Sequence, residues 1–221
     1  MNVRAVLWDL DGTLVDSEEF HWQSWQYAMR AEGLPVTFDQ FKASFGQRNE
    51  TILRRWLRPD ASTADIARVA DAKEVEYRRL AAQHGLTPLP GAADWLGRLH
   101  TAGWKQAIAS SAPRLNVEAM LRALALERYF DAIVCSEDVT AGKPDPQVFL
   151  AAASRLRVPP DRCIVVEDAA AGIEAARRAG MRSIGVSRNR PLNADVSVSS
   201  LAELPQDAFE RLAATATEYT E

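Results

Sequence analysis

Cysteine is nearly absent from this chain: Cys135 and Cys163 are the only two in 221 residues. Each lies in or beside an apolar, strand-like run, so buried reduced thiols are expected rather than a disulfide framework or a metal pair. Positive charge is not in excess either. The net charge is −4 and the isoelectric point about 5.5, which argues against a broad basic surface for nucleic acid or an anionic membrane. Apolar runs approaching the ~18 residues of a membrane span are missing. Asp9 interrupts the amino-terminal apolar run, which argues against a secretory signal. The expectation is a cytoplasmic protein with no membrane or nucleic-acid partner. Phosphate-loop chemistry is missing as well: position 137 is Glu where G-x-x-x-x-G-K needs glycine, and Pro144 follows Lys143. No G-x-G-x-x-G follows a strand, so nucleotide cofactors are not indicated. There is no internal repeat and no low-complexity segment.

What is present begins at the amino end. Ala5 to Trp8 reads as a strand buried on both faces, as in a parallel sheet. Asp9 follows at its carboxyl end, the edge of an α/β sheet where ligands bind. Asp11 lies two residues on, and Gly12 permits a sharp turn. Paired carboxylates repel unless a proton or cation intervenes, and hard oxygen ligands suit Mg²⁺.

Residues 17–86 then read as helical throughout. Ser17 is a plausible N-cap with Glu18 and Glu19 behind it, and Trp22, Trp25 and Met29 form an apolar stripe. His21 lies beside that stripe, where a packed helix histidine is the plainer reading. Further helix covers 38–57, with a glycine turn at Gly46 that carries Arg48, and another helix runs from about Ser62 to His84. Lys73 falls on the apolar stripe of that last helix, open between snorkelling to solvent and pointing into a cleft. Residues 87–91 read as a linker. From there strands at 104–109, 132–135, 163–166, 183–186 and 196–198 alternate with helices at 92–102, 113–124, 146–156, 169–179 and 206–214. The tail from Thr215 to Glu221 reads as frayed. Alternation of this kind implies a doubly wound parallel sheet with helices on both faces. The helical block is expected to be an all-α cap inserted into an α/β core of residues 1–16 and 87–221.

Each core strand is followed by a polar group: Asp9 and Asp11, then Ser110 and Ser111, then Lys143, then Glu167 and Asp168. Singly these read as caps, loop residues or first-turn acids. Together they fall on one sheet edge.

The set D-x-D-G-T at 9–13, Ser110, G-K-P at 142–144 and E-D at 167–168 resembles the haloacid dehalogenase superfamily over the whole chain. The subgroup it is most similar to contains β-phosphoglucomutase and many sugar-phosphate and phosphoglycolate phosphatases, with a small helical cap. The resemblance implies Asp9 as nucleophile and Asp11 as general acid and base. It implies Mg²⁺ on Asp9, the Asp11 carbonyl, Asp168 and Glu167, with Ser110 and Lys143 holding phosphate oxygens. Family members often have a cis lysine–proline bond at this motif. His21, Gly46, Arg48, Lys73, Ser110 and Ser111 match positions used around the substrate, Arg48 most loosely. The expected activity is Mg²⁺-dependent hydrolysis of a small phosphorylated metabolite, by a monomer. A phosphosugar mutase is the alternative. A phospho-accepting signalling module is remote, because it needs no cap, and a dehalogenase would not keep this acidic set.

Overall fold

The computed structural model describes residues 4–188 and 190–215; the tail expected to fray lies, from 216 onward, outside the described residues. Its elements in chain order are β1 (Ala5–Trp8), α1 (Glu18–Ala31), α2 (Phe38–Ser44), α3 (Asn49–Trp56), α4 (Thr63–His84), α5 (Ala92–Thr101), β2 (Lys105–Ala109), α6 (Arg114–Ala123), β3 (Ala132–Val134), α7 (Gln147–Leu156), β4 (Cys163–Glu167), α8 (Ala170–Arg178), β5 (Arg182–Val186), β6 (Val196–Val198) and α9 (Ala208–Thr215). The strands form one sheet in the order β3-β2-β1-β4-β5-β6, and every pairing is parallel.

The two-residue period of a strand sorts its side chains onto two faces. Val6 and Trp8 of β1, with Ile164 and Val166 of β4, pack against Trp95, Leu96, Val117 and Phe209 on one side. Ala5 and Leu7, with Cys163 and Val165, pack against Phe149, Ala152, Ala175 and Ala176 on the other. Each inner strand is thus apolar at successive positions because both faces are covered. The same sorting separates the cysteines: Cys135 belongs to the first face and Cys163 to the second. Both thiols are free, and burial pushes each up to about 12.

Helices α1–α4 bury a separate cluster that includes Trp25, Met29, Phe41, Leu53, Ile66 and Val69. The expected stretch of helix over 38–57 is interrupted at residues 45–48, where Gly46 has φ +80°. Trp22 is only partly buried at the margin of the cluster, and the buried stripe of α1 runs through Trp25, Ala28 and Met29. The chain leaves and re-enters the sheet region side by side. Leu89 N–H donates to the Leu14 carbonyl at 2.8 Å, and Asp16 N–H to that of Thr87 at 3.0 Å. The helices therefore sit over the carboxyl ends of the strands.

Strand order reverses at β1, which pairs with β2 on one side and β4 on the other. Crevices in open α/β sheets form at such reversals.

Candidate active site

The loops after β1, β2, β3 and β4 meet at this reversal. Asp9 N–H donates to the Val166 carbonyl at 3.0 Å, which places the Asp9 side chain beside the Glu167–Asp168 pair. Gly12 (φ +82°) is required here, because a Cβ would lie 2.3 Å from Asp168 Oδ2. Gly172 on α8 serves Glu167 similarly, since a Cβ there would lie 2.0 Å from Glu167 Oε1. Lys143 arrives from the loop after β3, through a cis Lys143–Pro144 peptide. Its Nζ donates to Asp9 Oδ1 at 2.6 Å, Glu167 Oε1 at 2.5 Å and the Ala109 carbonyl at 3.0 Å. Ser110 is buried; its N–H donates to the Val134 carbonyl and its Oγ accepts from Ala112 N–H, both at 3.0 Å. Ser110 and Ser111 line a cleft whose opposite wall comes from α1–α4.

One ligand oxygen each from Asp9, Glu167 and Asp168 lie within 4.8 Å of one another. Burial pushes Asp9 up to about 7, with Glu167 adding to the rise and Lys143 opposing it. Burial, followed by the charges of Glu167 and Asp9, holds Asp168 well above the usual carboxylate range. On Lys143 the burial penalty is outweighed by Asp9 and Glu167, which raise its pKa and keep it charged. One ammonium thus offsets part of a cluster of three carboxylates. A hard divalent cation with oxygen preference fits the remainder.

Asp11 is held differently. Its Oδ1 accepts from Ser17 Oγ at 2.6 Å and pairs with His21 Nε2 at 2.9 Å. Burial alone would raise its pKa, but His21 and Ser17 outweigh burial and lower it. Ser17, expected as an N-cap, makes no side-chain cap on α1, because its hydroxyl is committed to Asp11. His21 Nδ1 lies 2.8 Å from Lys73 Nζ. An ammonium can only donate, so His21 Nδ1 accepts from Lys73 and the ring presents Nε2–H to Asp11. The His21 ring stacks on Tyr77 with centroids 4.2 Å apart. Lys73 is buried and does not snorkel; it also donates to Glu74 Oε1 at 2.8 Å.

Arg48 departs from expectation. Its Nη1 donates to the Thr140 carbonyl at 3.0 Å and its Nη2 to that of Ser136 at 2.9 Å. It stands immediately before α3 and points back to the loop after β3, with its stem against Gly142. Arg48 is therefore a clasp between helices and sheet domain, not a cleft residue. The cleft wall instead carries Gly46, Gln47, Asn49, Lys73 and Glu74. Asn49, Glu74 and its partner Asn116 were invisible to pattern reading, for each is an ordinary polar residue on a helix. Glu74 Oε1 accepts from Asn49 Nδ2 at 2.6 Å and its Oε2 from Asn116 Nδ2 at 2.5 Å.

The comparisons with known proteins decide the family. The profile of the haloacid dehalogenase-like hydrolases matches residues 3–180, most of the chain. The chain is a haloacid dehalogenase-like hydrolase. Among relatives of this hydrolase, a β-phosphoglucomutase of Bacillus subtilis is 34% identical over 91% of this chain and 92% of its own length. The fructose-1-phosphate phosphatase YqaB of Escherichia coli is 33% identical over 82% of this chain and 95% of its own. A crystal structure of β-phosphoglucomutase from Clostridium difficile superimposes with a TM-score of 0.87 at 26% identity, covering 96% of this chain and 98% of that one. The hydrolase is accordingly an enzyme of phosphomonoester chemistry, with phosphomutases among its relatives. No helix among its described residues is long and apolar enough to cross a membrane.

Proposed function

We propose that the chain is a Mg²⁺-dependent phosphatase of a small phosphorylated metabolite, with residues 17–86 acting as a cap over the core of 1–16 and 87–221. The observation that carries this reading is the contrast between its two leading carboxylates. Asp9 faces Lys143 and the acidic cluster with no donor from the cap side among the described residues, whereas Asp11 is held by Ser17 and His21. One carboxylate is thereby free to attack and the other is placed to carry a proton.

In this reading Asp9 attacks phosphorus, the bond to the departing oxygen breaks, and Asp11 gives that oxygen a proton. Asp11 then takes a proton from water as water attacks the aspartyl phosphate, and free phosphate leaves. The lowered pKa of Asp11 suits the second half. The negative charge of a bound phosphoryl group raises it again for the first. Ser110 and Lys143 bind the non-bridging oxygens and keep them in line with Asp9. Asp9, Asp168 and the Asp11 carbonyl would hold Mg²⁺, with Glu167 shared between the metal and Lys143. When bound, the metal supplies charge neutralisation at the phosphoryl oxygens.

Phosphate release from a panel of phosphorylated metabolites tests the reading; no release from any of them, p-nitrophenyl phosphate included, would reject it. Supplying β-glucose 1-phosphate with catalytic β-glucose 1,6-bisphosphate tests the acceptor. Slow phosphate release with little glucose 6-phosphate is expected. Rapid conversion without phosphate release would favour the mutase reading, which the Bacillus subtilis relative supports.

The Glu167 assignment has its own test. Gly172→Ala places a methyl where the Glu167 carboxylate lies. A Mg²⁺ titration of activity should shift to higher concentration by about 10- to 100-fold, the usual cost of disturbing a metal's supporting shell. An unchanged midpoint would remove Glu167 from the metal assignment.

A further inference from the structure

Lys73 sets which nitrogen of His21 faces Asp11, so the place of its ammonium matters. That ammonium lies 2.8 Å from His21 Nδ1 and 2.8 Å from Glu74 Oε1. It is a compact charge with three donors on a flexible four-carbon stem, and the acceptors around it decide where it rests. Glu74 follows Lys73 directly on α4. It stays ionised, because the charges of Lys73 and His21 and the Asn49 amide outweigh the effect of burial. A free carboxylate there would turn both oxygens toward the ammonium and draw it off the imidazole.

The restraint comes from the sheet domain. Glu74 Oε2 accepts from Asn116 Nδ2 on α6, its one donor among the described residues, while Oε1 is shared by Lys73 and Asn49. Arg78, one turn along α4, donates from Nη1 to Asn116 Oδ1 at 2.8 Å. A carboxylate only accepts and a guanidinium only donates, so these two partners fix the Asn116 amide in one orientation. Asn116 is fully buried, and the next residues of α6, Val117, Met120 and Leu121, are sunk in the core on one face of the sheet. Tyr77, whose ring stacks on His21, donates to Met120 Sδ at 3.0 Å, one turn further along the same helix. The supports of the His21 ring, at its edge and on its face, are thus both referenced to α6, which opens just after Ser110 and Ser111.

We propose that Asn116 is a positioning residue for the reaction: by holding Glu74 Oε2 it keeps the Lys73 ammonium on His21 Nδ1, and so keeps the Nε2–H of His21 turned to Asp11. It acts through Glu74, Lys73 and His21 and touches no reacting atom. Without its amide, Glu74 Oε2 is left buried with no donor. The carboxylate then takes the ammonium with both oxygens, and His21 loses the partner that selects its tautomer. The kinetic consequence rests on the phosphatase reading; the tautomer does not.

Two variants of the Mg²⁺-loaded full chain test it. Asn116→Leu removes the amide at similar volume. Asn116→Asp keeps the shape and the Arg78 contact, and stands in if the leucine variant does not fold. The first readout is the ¹⁵N spectrum of the His21 ring at about pH 8, above the usual histidine range, with the signal assigned by its loss in His21→Gln. The native chain should show one tautomer, protonated at Nε2, and both variants a mixture of the two. The second readout is turnover of p-nitrophenyl phosphate. Asn116→Leu should lower kcat about tenfold, the cost of one buried hydrogen bond, with KM changed less than about twofold. In a Lys73→Met background the same substitution should cost less than about twofold, because its route to His21 is already cut. A residue that merely packs α6 against α4 would cost the same in both backgrounds and leave the tautomer alone. A single Nε2–H tautomer in the folded variants, or an equal loss of kcat with and without Lys73, would overturn the proposal. Absence of turnover by the native chain would reject the phosphatase reading instead, and the ring spectrum would still decide the role of Asn116.

Discussion

Asp9→Asn should lower kcat by about 10⁴- to 10⁶-fold, the range seen when an enzyme loses its nucleophile. The amide nitrogen cannot attack phosphorus, and no other carboxylate replaces it. Asp11 is turned toward Ser17 and His21, and Glu167 is bonded through Oε1 to Lys143 and through Oε2 to Ala169 N–H at 2.9 Å. The loss should not come from unfolding. Asp9 is one of three clustered acids whose charges oppose one another, so neutralising it relieves repulsion in the metal-free protein. Lys143 retains Glu167 and the Ala109 carbonyl. The metal-free melting temperature of the variant should therefore equal or exceed that of the native chain. Asp11→Asn should behave differently: it should also turn over very slowly, yet accumulate phosphoenzyme from a donor with a good leaving group such as p-nitrophenyl phosphate. Near-native kcat in Asp9→Asn would remove the nucleophile assignment.

Removal of divalent metal should be nearly as damaging. EDTA should lower turnover by about 10³-fold, several kcal/mol of transition-state charge stabilisation, and Mg²⁺ should restore it. The same cluster gives a stability signature with a definite sign. Burial raises the Asp9 pKa from 3.8 to about 7. Between those values the folded protein keeps a proton that the unfolded chain has released. The contribution of this group to stability is fully present below the unfolded pKa and is lost as pH rises through the folded one. Asp168 shifts in the same direction. A cation that binds only the folded form reverses that loss at the high end. The rise in Tm on adding Mg²⁺ should therefore be larger at about pH 8 than at about pH 5, where protons compete for the same oxygens. A rise that is equal at both, or larger in acid, would contradict the metal assignment.

Much of the architecture was legible in residue order. The strand at Ala5–Trp8 is readable because both of its faces are buried, and that burial is written as an uninterrupted apolar run. The convergence of Asp9, Ser110, Lys143, Glu167 and Asp168 follows from parallel topology, in which every strand ends at the same edge. The cap side was legible only where it is periodic. Lys73 was visible as a charge on an apolar stripe. Its counter-ion Glu74 was not, because neighbours i and i+1 on a helix point apart and the Glu74 partner Asn116 comes from the distant α6. Arg48 was misread for a related reason: whether a long side chain enters a cleft or clasps the opposite rim depends on where α3 begins, which composition around Gly46 does not specify. Ser17 has the residue type of an N-cap, but a carboxylate lies within reach of its hydroxyl and takes it. Tertiary hydrogen bonds of this kind carry no local signal.

A covalent bond to Asp9 is the central requirement of the phosphatase reading. Acid-quenching the Mg²⁺-loaded enzyme during turnover of p-nitrophenyl phosphate, digesting it and weighing the peptides reads that bond. A phosphoryl adduct on the peptide that carries Asp9, absent from Asp9→Asn and decaying to free phosphate when substrate runs out, is the predicted result. Sustained phosphate release with no adduct on that peptide in either the native chain or Asp11→Asn would contradict it.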